Sequence, residues 1–215
     1  MVPAAIVPRA ATLAASSSPK ALWYLTRGAG VVTLLLLTVS VLFGVATSVG
    51  WSWSRLPRFV VVALHRNVSL LVVVFVGIHV ATMVIDGYVP IRWIDAVVPF
   101  IGAYHPLEMG LGALAFDLLL AVLITSALRA RMTFESWRLV HWLAYVCWPI
   151  ALLHGFLIGT DRREPWMLAI DAACVALVGI AVTWRLLRGT PSDGTTAVAA
   201  PGVATGARRL TGSRS

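Results

Sequence analysis

The chain has 215 residues, of which 59% are hydrophobic and only 12% charged, and its mean hydropathy is +0.87. A soluble domain carries about 25% charged residues, so this chain lacks the polar groups to cover a water-facing surface. It reads as an integral membrane protein with no room for a separate folded domain of ordinary size beside its spans. The net charge of +8 does not point to nucleic acid, because the 17 Lys and Arg residues gather at the ends of apolar runs and in the tails, where they set topology.

Residues 1–20 are rich in Ala, Ser and Pro and lack the sustained apolar stretch of a cleaved signal peptide, so a flexible N-terminal tail is expected there. Five apolar runs follow: 28–50, 67–85 extended toward Phe59, 109–128 interrupted by Asp117, 139–160 containing Pro149, and 166–184 containing Asp171. At about 20 residues per crossing these predict five transmembrane helices, an all-α membrane bundle over 21–188. Residues 91–104, with Arg92, Asp95 and Pro99, are apolar but too short to cross and read as an interfacial or re-entrant piece. From Gly189 onward large apolar residues are nearly absent, and a disordered tail over 189–215 is expected.

Arg55, Arg58, Arg66, Arg129, Arg131, Arg138, Arg185 and Arg188 fall on one side of this five-span arrangement, together with the basic C-terminal tail. That side is expected to be cytoplasmic, with the N-terminus outside, although Lys20 and Arg27 before the first span pull the other way. Cys147 and Cys174 lie inside apolar runs, where a thiol behaves as a small hydrophobe.

Of the five histidines, four lie in or at the edge of two spans: His65 with His79, and His141 with His154. Polar groups at membrane depth are expensive and seldom idle. At about 1.5 Å per residue each pair is about 20 Å apart along its helix, one member near each membrane face. Antiparallel packing of the two spans brings His65 level with His141 and His79 level with His154. This suits two stacked haems, each ligated by one imidazole from either side, a coordination that favours electron transfer over ligand chemistry. A lone histidine on an apolar helix is more often a hydrogen-bonded packing residue; it is the paired spacing that favours ligation. On an ideal helix 14 residues return to within about 40° of one face, whereas 13 leave about 140°. Pro149, between His141 and His154, is the feature the sequence offers to absorb that difference.

The segments from His65 to Val80 and from Trp137 to Asp161 resemble the ferric reductase-like transmembrane domain, the haem-binding membrane core of ferric reductases, NADPH oxidases and bacterial haem subunits of methionine sulfoxide reductase systems. In that family one helix bears two histidines 14 apart and a second bears two 13 apart. The resemblance implies two haem b groups, an inner one on His65 and His141 and an outer one on His79 and His154. It departs in span number, since many members have six and the first has no counterpart here. No flavin- or NADPH-binding segment follows the last span, so a separate electron donor, a flavoprotein reductase or quinol, is expected, with an extracytoplasmic acceptor.

Arg66 follows His65 and Arg138 precedes His141 by one turn, so both are placed either to pair with inner haem propionates or to anchor helix ends. The resemblance places Arg27 near an outer propionate or substrate. Gly77 and Gly155, beside His79 and His154, either make room for a macrocycle or promote ordinary helix packing. Phe75, Tyr145 and Trp148 sit at intermediate depth, where aromatic core packing is the commoner role, and neither Asp117 nor the loop residue His105 receives one. There is no CxxCH for covalent haem. The expectation is a membrane b-type cytochrome, ferric reductase-like, carrying electrons to an acceptor outside. The alternatives are a haem subunit serving a partner oxidoreductase and a non-haem transporter or metal scaffold. The last is disfavoured because histidines about 20 Å apart on one helix cannot share an ion.

Overall fold

A computed structural model describes residues 9–51, 57–87 and 89–188. Seven α-helices run in chain order: α1 (Arg9–Ser48), α2 (Arg58–Ile85), the short α3 (Trp93–Val97), α4 (Pro106–Ala127), α5 (Phe134–His141), α6 (Leu143–Ile158) and α7 (Pro165–Arg188), with a 3₁₀ turn at Arg129–Arg131. Among the described residues five segments are long and apolar enough to cross a membrane: Ala21–Ser48, Arg58–Ile85, Pro106–Ala127, Phe134–Ile158 and Pro165–Leu187. The protein is thus an all-α, multi-pass membrane protein, as its composition requires. Helix α1 begins at Arg9, inside the stretch expected to be a tail, while 1–8 and the expected C-terminal tail, 189–215, lie outside the described residues, as does Arg55.

Proline and hydroxyl residues set the helix starts. Pro57 precedes α2, Pro106 and Pro165 open α4 and α7, and the Thr133 hydroxyl accepts the Ser136 N–H at 3.2 Å to cap α5; each satisfies or removes an orphan amide at a helix start. Helix α1 packs along α2, α4 packs along α5 and α6, and α7 closes against α1. The core where they meet comprises Leu34, Leu37 and Val41 of α1, Val72 of α2, Trp148 of α6, and Met167, Cys174 and Val178 of α7. Outward faces are equally apolar, as at Leu70, Leu71, Val74 and Ile180, because lipid tails reward no polar exterior. Inside the bundle the Thr38 hydroxyl donates to the Leu34 carbonyl of its own helix at 2.8 Å.

The fourth span departs from the sequence reading. Helix α6 runs through Pro149 without a break, and the interruption falls instead at Trp142, directly after His141. There the Tyr145 N–H donates to the Trp142 carbonyl at 3.0 Å, a three-residue turn that winds more tightly than an α-helix. Pro149 costs α6 one main-chain bond, to the Tyr145 carbonyl, but does not end it.

The interfacial segment folds around one ion pair. Asp95, buried at 6% exposure, accepts from the Arg92 main-chain N–H at 2.9 Å and from its guanidinium at 2.7 Å. These bonds, the guanidinium's first, hold the Asp95 carboxyl below the usual carboxylate range, and Asp95 in turn raises Arg92. Around this anchor Trp93, Ile94 and Val97 face outward.

Candidate functional site

The structure brings the four span histidines together in the crosswise pairs. His65 of α2 faces His141 at the end of α5 with ring centroids 6.2 Å apart, and His79 of α2 faces His154 of α6 at 6.4 Å, with interplanar angles of 75° and 81°. Two imidazoles on opposite sides of one metal ion, with bonds of about 2.0 Å and about 1.1 Å from nitrogen to ring centre, have centroids about 6.2 Å apart. Both pairs have that separation.

Three of the four rings are fixed through Nδ1. His65 Nδ1 lies 3.0 Å from the Ser40 carbonyl, His79 Nδ1 2.9 Å from that of Thr26, and His154 Nδ1 2.7 Å from that of Glu108. A carbonyl only accepts, so each Nδ1 carries the proton and the neutral ring keeps its lone pair on Nε2, the form that ligates metal. On the α1–α2 seam hydroxyls reinforce the arrangement, with Thr26 bonded to Thr82 at 2.9 Å and Ser40 to Ser69 at 2.8 Å. His141 differs. Its Nδ1 is buried with no partner, and its ring stacks on Trp137 at 4.8 Å, which the Arg129 guanidinium covers from a further 4.8 Å.

Around the His79–His154 pair lies a cavity of 390 Å³ lined also by Trp23, Arg27, Tyr104 and Asp161 among others, within the range of pockets that hold organic cofactors. Arg27 is ion-paired with Asp161 and stacks over Trp23 at 4.1 Å. Arg66 and Arg138 are exposed at the end of the bundle that carries His65 and His141, Arg138 lying 5.3 Å over Phe134. The donor set, the pair separations and the cavity all fit haem. Among the described residues no group of three or more His, Cys, Asp or Glu gathers as a metal site, so the histidines work as pairs.

Other sequence candidates stand apart. A Cβ at Gly77 or Gly155 would meet no protein atom within 4 Å, and Gly155 lines the cavity beside His79 and His154. Trp148 belongs to the core and donates to Thr38 at 3.0 Å, Tyr145 bonds Arg185, and Phe75 is half-buried on α2. His105 is exposed at the start of α4, 3.6 Å from Glu108. Asp117 is half-buried, whereas Asp171 is buried with neither carboxylate oxygen bonded. Sequence reasoning missed Asp161 as the partner of Arg27, the Trp137 stack, and the acceptor carbonyls, which carry no residue-type signature.

An all-α membrane bundle with two facing histidine pairs defines a class of membrane redox proteins. The family of ferric reductase-like transmembrane components matches residues 29–158, and the chain belongs to that family, a membrane electron-transfer family whose domains generally bind haem. Arg27 and α7 fall outside the matched stretch. No curated protein and no solved structure matches the chain.

Proposed function

We propose that residues 21–188 form a b-type cytochrome that holds two haems, an inner one on His65 and His141 and an outer one on His79 and His154, and moves electrons across the membrane. The observation that carries the reading is the separation of both pairs, 6.2 and 6.4 Å between ring centroids, which suits bis-imidazole ligation of one iron per pair. Haem, when bound, would supply a one-electron couple, and the histidine pairs would hold its iron. The chain's own residues orient the rings, present Nε2, and exclude water from the ligated faces. Arg66 and Arg138 supply cations for inner propionates, and Arg27, which lines the outer cavity, supplies one for the outer group.

The basic side carrying Arg66, Arg129, Arg131, Arg138 and Arg185 is cytoplasmic in this reading, which puts the His79–His154 pair toward the outside. Electrons pass from a flavoprotein or quinol on the inner side to an acceptor outside. A reduced-minus-oxidised spectrum with haem quantification on purified protein tests the core of this reading. Two b haems per chain are expected, and a colourless protein after haem-replete expression overturns it. Reduction by quinol against reduction by a flavoprotein then identifies the donor.

A further inference from the structure

Three of the four span histidines lie in notches that glycine leaves beside the carbonyl each ring donates to: His79 against Gly30, His65 against Gly44 and His154 against Gly112. Among the described residues His141 has neither a glycine nor an acceptor. Its orientation depends on the Trp137 stack and on the main chain that carries it, and that main chain changes course one residue later. Trp142, at φ −63° and ψ −22°, has the dihedrals of a three-residue turn, and the Tyr145 N–H closes the turn on the Trp142 carbonyl at 3.0 Å.

The turn supplies rotation that the spacing of His141 and His154 lacks. Thirteen α-helical residues stop about 140° short of four full turns. A residue wound at three per turn advances about 120° instead of about 100°, so three of them recover about 60°, in the direction that brings His141 round toward the face of His154. Such a turn also eclipses the side chains at its two ends. Those ends are Trp142 and Tyr145, whose rings lie 5.4 Å apart. One guanidinium covers both. Arg185 of α7 stands 4.6 Å over the Trp142 ring and 5.2 Å over that of Tyr145, and it donates to the Tyr145 hydroxyl. Among the described residues no carboxylate pairs with Arg185.

We infer that Arg185 is a positioning residue for His141: it clamps the tight turn from Trp142 to Tyr145 and so holds the His141 ring at the angle around its helix that faces His65. The inference rests on the haem reading above. Arg185 belongs to α7, beyond the residues 29–158 that match the family, and the clamp gives the last span a part in seating the inner group. A cation over an aromatic face is attracted by the ring quadrupole, more strongly where water is excluded, and Arg185 is half-buried. Shape matters as much as charge, because the planar guanidinium stacks on rings while it donates, and an ammonium does not. With the clamp lost, the turn relaxes toward α-helical winding, His141 swings away from His65, and the inner group keeps one well-placed ring.

The test uses full-length haem-loaded protein carrying His79→Ala, so that the inner haem is read alone. Two readings are taken: the low-spin EPR signal, whose anisotropy follows the angle between the two imidazole planes, and the rate of haem transfer to a scavenger. Arg185→Met, which keeps length and apolar bulk, is expected to shift the EPR signal and to speed release about 10-fold, the scale of contacts that orient a metal ligand from outside its coordination shell. Trp142→Leu is expected to do the same, and the double variant no more than either, since both remove one contact. Where Trp142→Leu does not fold, Tyr145→Phe, which removes only the hydroxyl, takes its place in the cycle. Arg185→Lys keeps the charge without the planar stack and is expected to fall short of the parent in both readings. An unchanged EPR signal in Arg185→Met overturns the inference. So do additive effects in the double variant or parental readings in Arg185→Lys, either of which assigns Arg185 a direct charge effect on the haem. If the otherwise wild-type chain binds no haem, the functional reading falls first, and the two failures are distinguishable.

Discussion

The two histidine pairs have the same ring separation and different surroundings. The outer pair is held from both sides by main-chain carbonyls, those of Thr26 on α1 and Glu108 on α4, and adjoins the 390 Å³ cavity that Arg27 and Asp161 help to line. The inner pair is held from one side by Ser40, while His141 leans on Trp137 under Arg129 and has no acceptor. One ring separation is thus reached by two kinds of support, hydrogen bonding to helix carbonyls beside Gly30, Gly44 and Gly112 and aromatic stacking at a helix break. The first fixes tautomer and orientation together; the second fixes orientation alone. A membrane interior makes the contrast matter, because no bulk water is present to supply a missing acceptor.

The largest effects come from removing ligands. His79→Ala or His154→Ala is expected to lower the haem content from two to one per chain and leave the inner spectrum, while His65→Ala or His141→Ala leaves the outer one; pyridine haemochrome quantification reads the outcome. Loss of neither haem in all four variants breaks the comparison at its root. Next come the notches, ranked by the space each leaves. Gly112→Ala places a methyl 2.6 Å from His154 Cε1 and is expected to weaken outer haem retention by about 10–100-fold. Gly30→Ala, at 3.1 Å, is expected to do less, and Gly44→Ala, at 3.4 Å, least. A different order in haem-release rates means that glycine spacing is not what seats the rings.

The spans and the histidine pairs were legible in the sequence because both rest on periodicity and length, which a single helix reports. Span ends were less so. Arg27 ends an uncharged run at residue 28, yet α1 continues through it, since a charge near the membrane face interrupts hydropathy without interrupting main-chain bonds. The break at Trp142 and the notch glycines depend on which residues of different helices come level, and that register is invisible one helix at a time. A usable signal was present all the same: Gly30 and Gly44 are spaced 14 apart, as His79 and His65 are, which is what antiparallel partners sharing one register require.

Smaller effects should come from the outer mouth. The Arg27–Asp161 ion pair is partly exposed, at 28% and 23% for the two side chains, and such pairs contribute about 0.2–1 kcal/mol. Asp161→Asn is therefore expected to lower the thermal midpoint in detergent only slightly, while leaving haem content at two. Its more useful readout is local. With Arg27 released, a small anionic oxidant added from outside should reoxidise the reduced protein faster, and the His65–His141 half of the spectrum should keep its rate of haem release.

The smallest expected effect lies at the Arg92–Asp95 anchor of α3. Asp95 is held below its usual range by hydrogen bonds from Arg92, so its folded value is lower than its unfolded one. A depressed carboxylate contributes stability that is fully present above the unfolded value of about 3.9 and is lost as pH falls through the folded value. Between pH 5 and 8 the segment should therefore show no titration of its own. Below about pH 4, protonation removes the charge that accepts both the Arg92 guanidinium and its N–H, and α3 loosens. Trp93, 59% exposed on that helix, reports the change: a Trp93→Phe difference fluorescence signal should be flat from pH 8 to 5 and shift only below about 4. Asp95→Asn should show the loosened signal at every pH, with the His65–His141 haem retained, since Asp95 and Ala96 line the cavity beside His79 and His154. A transition near pH 6 in the same signal would instead tie α3 to a histidine.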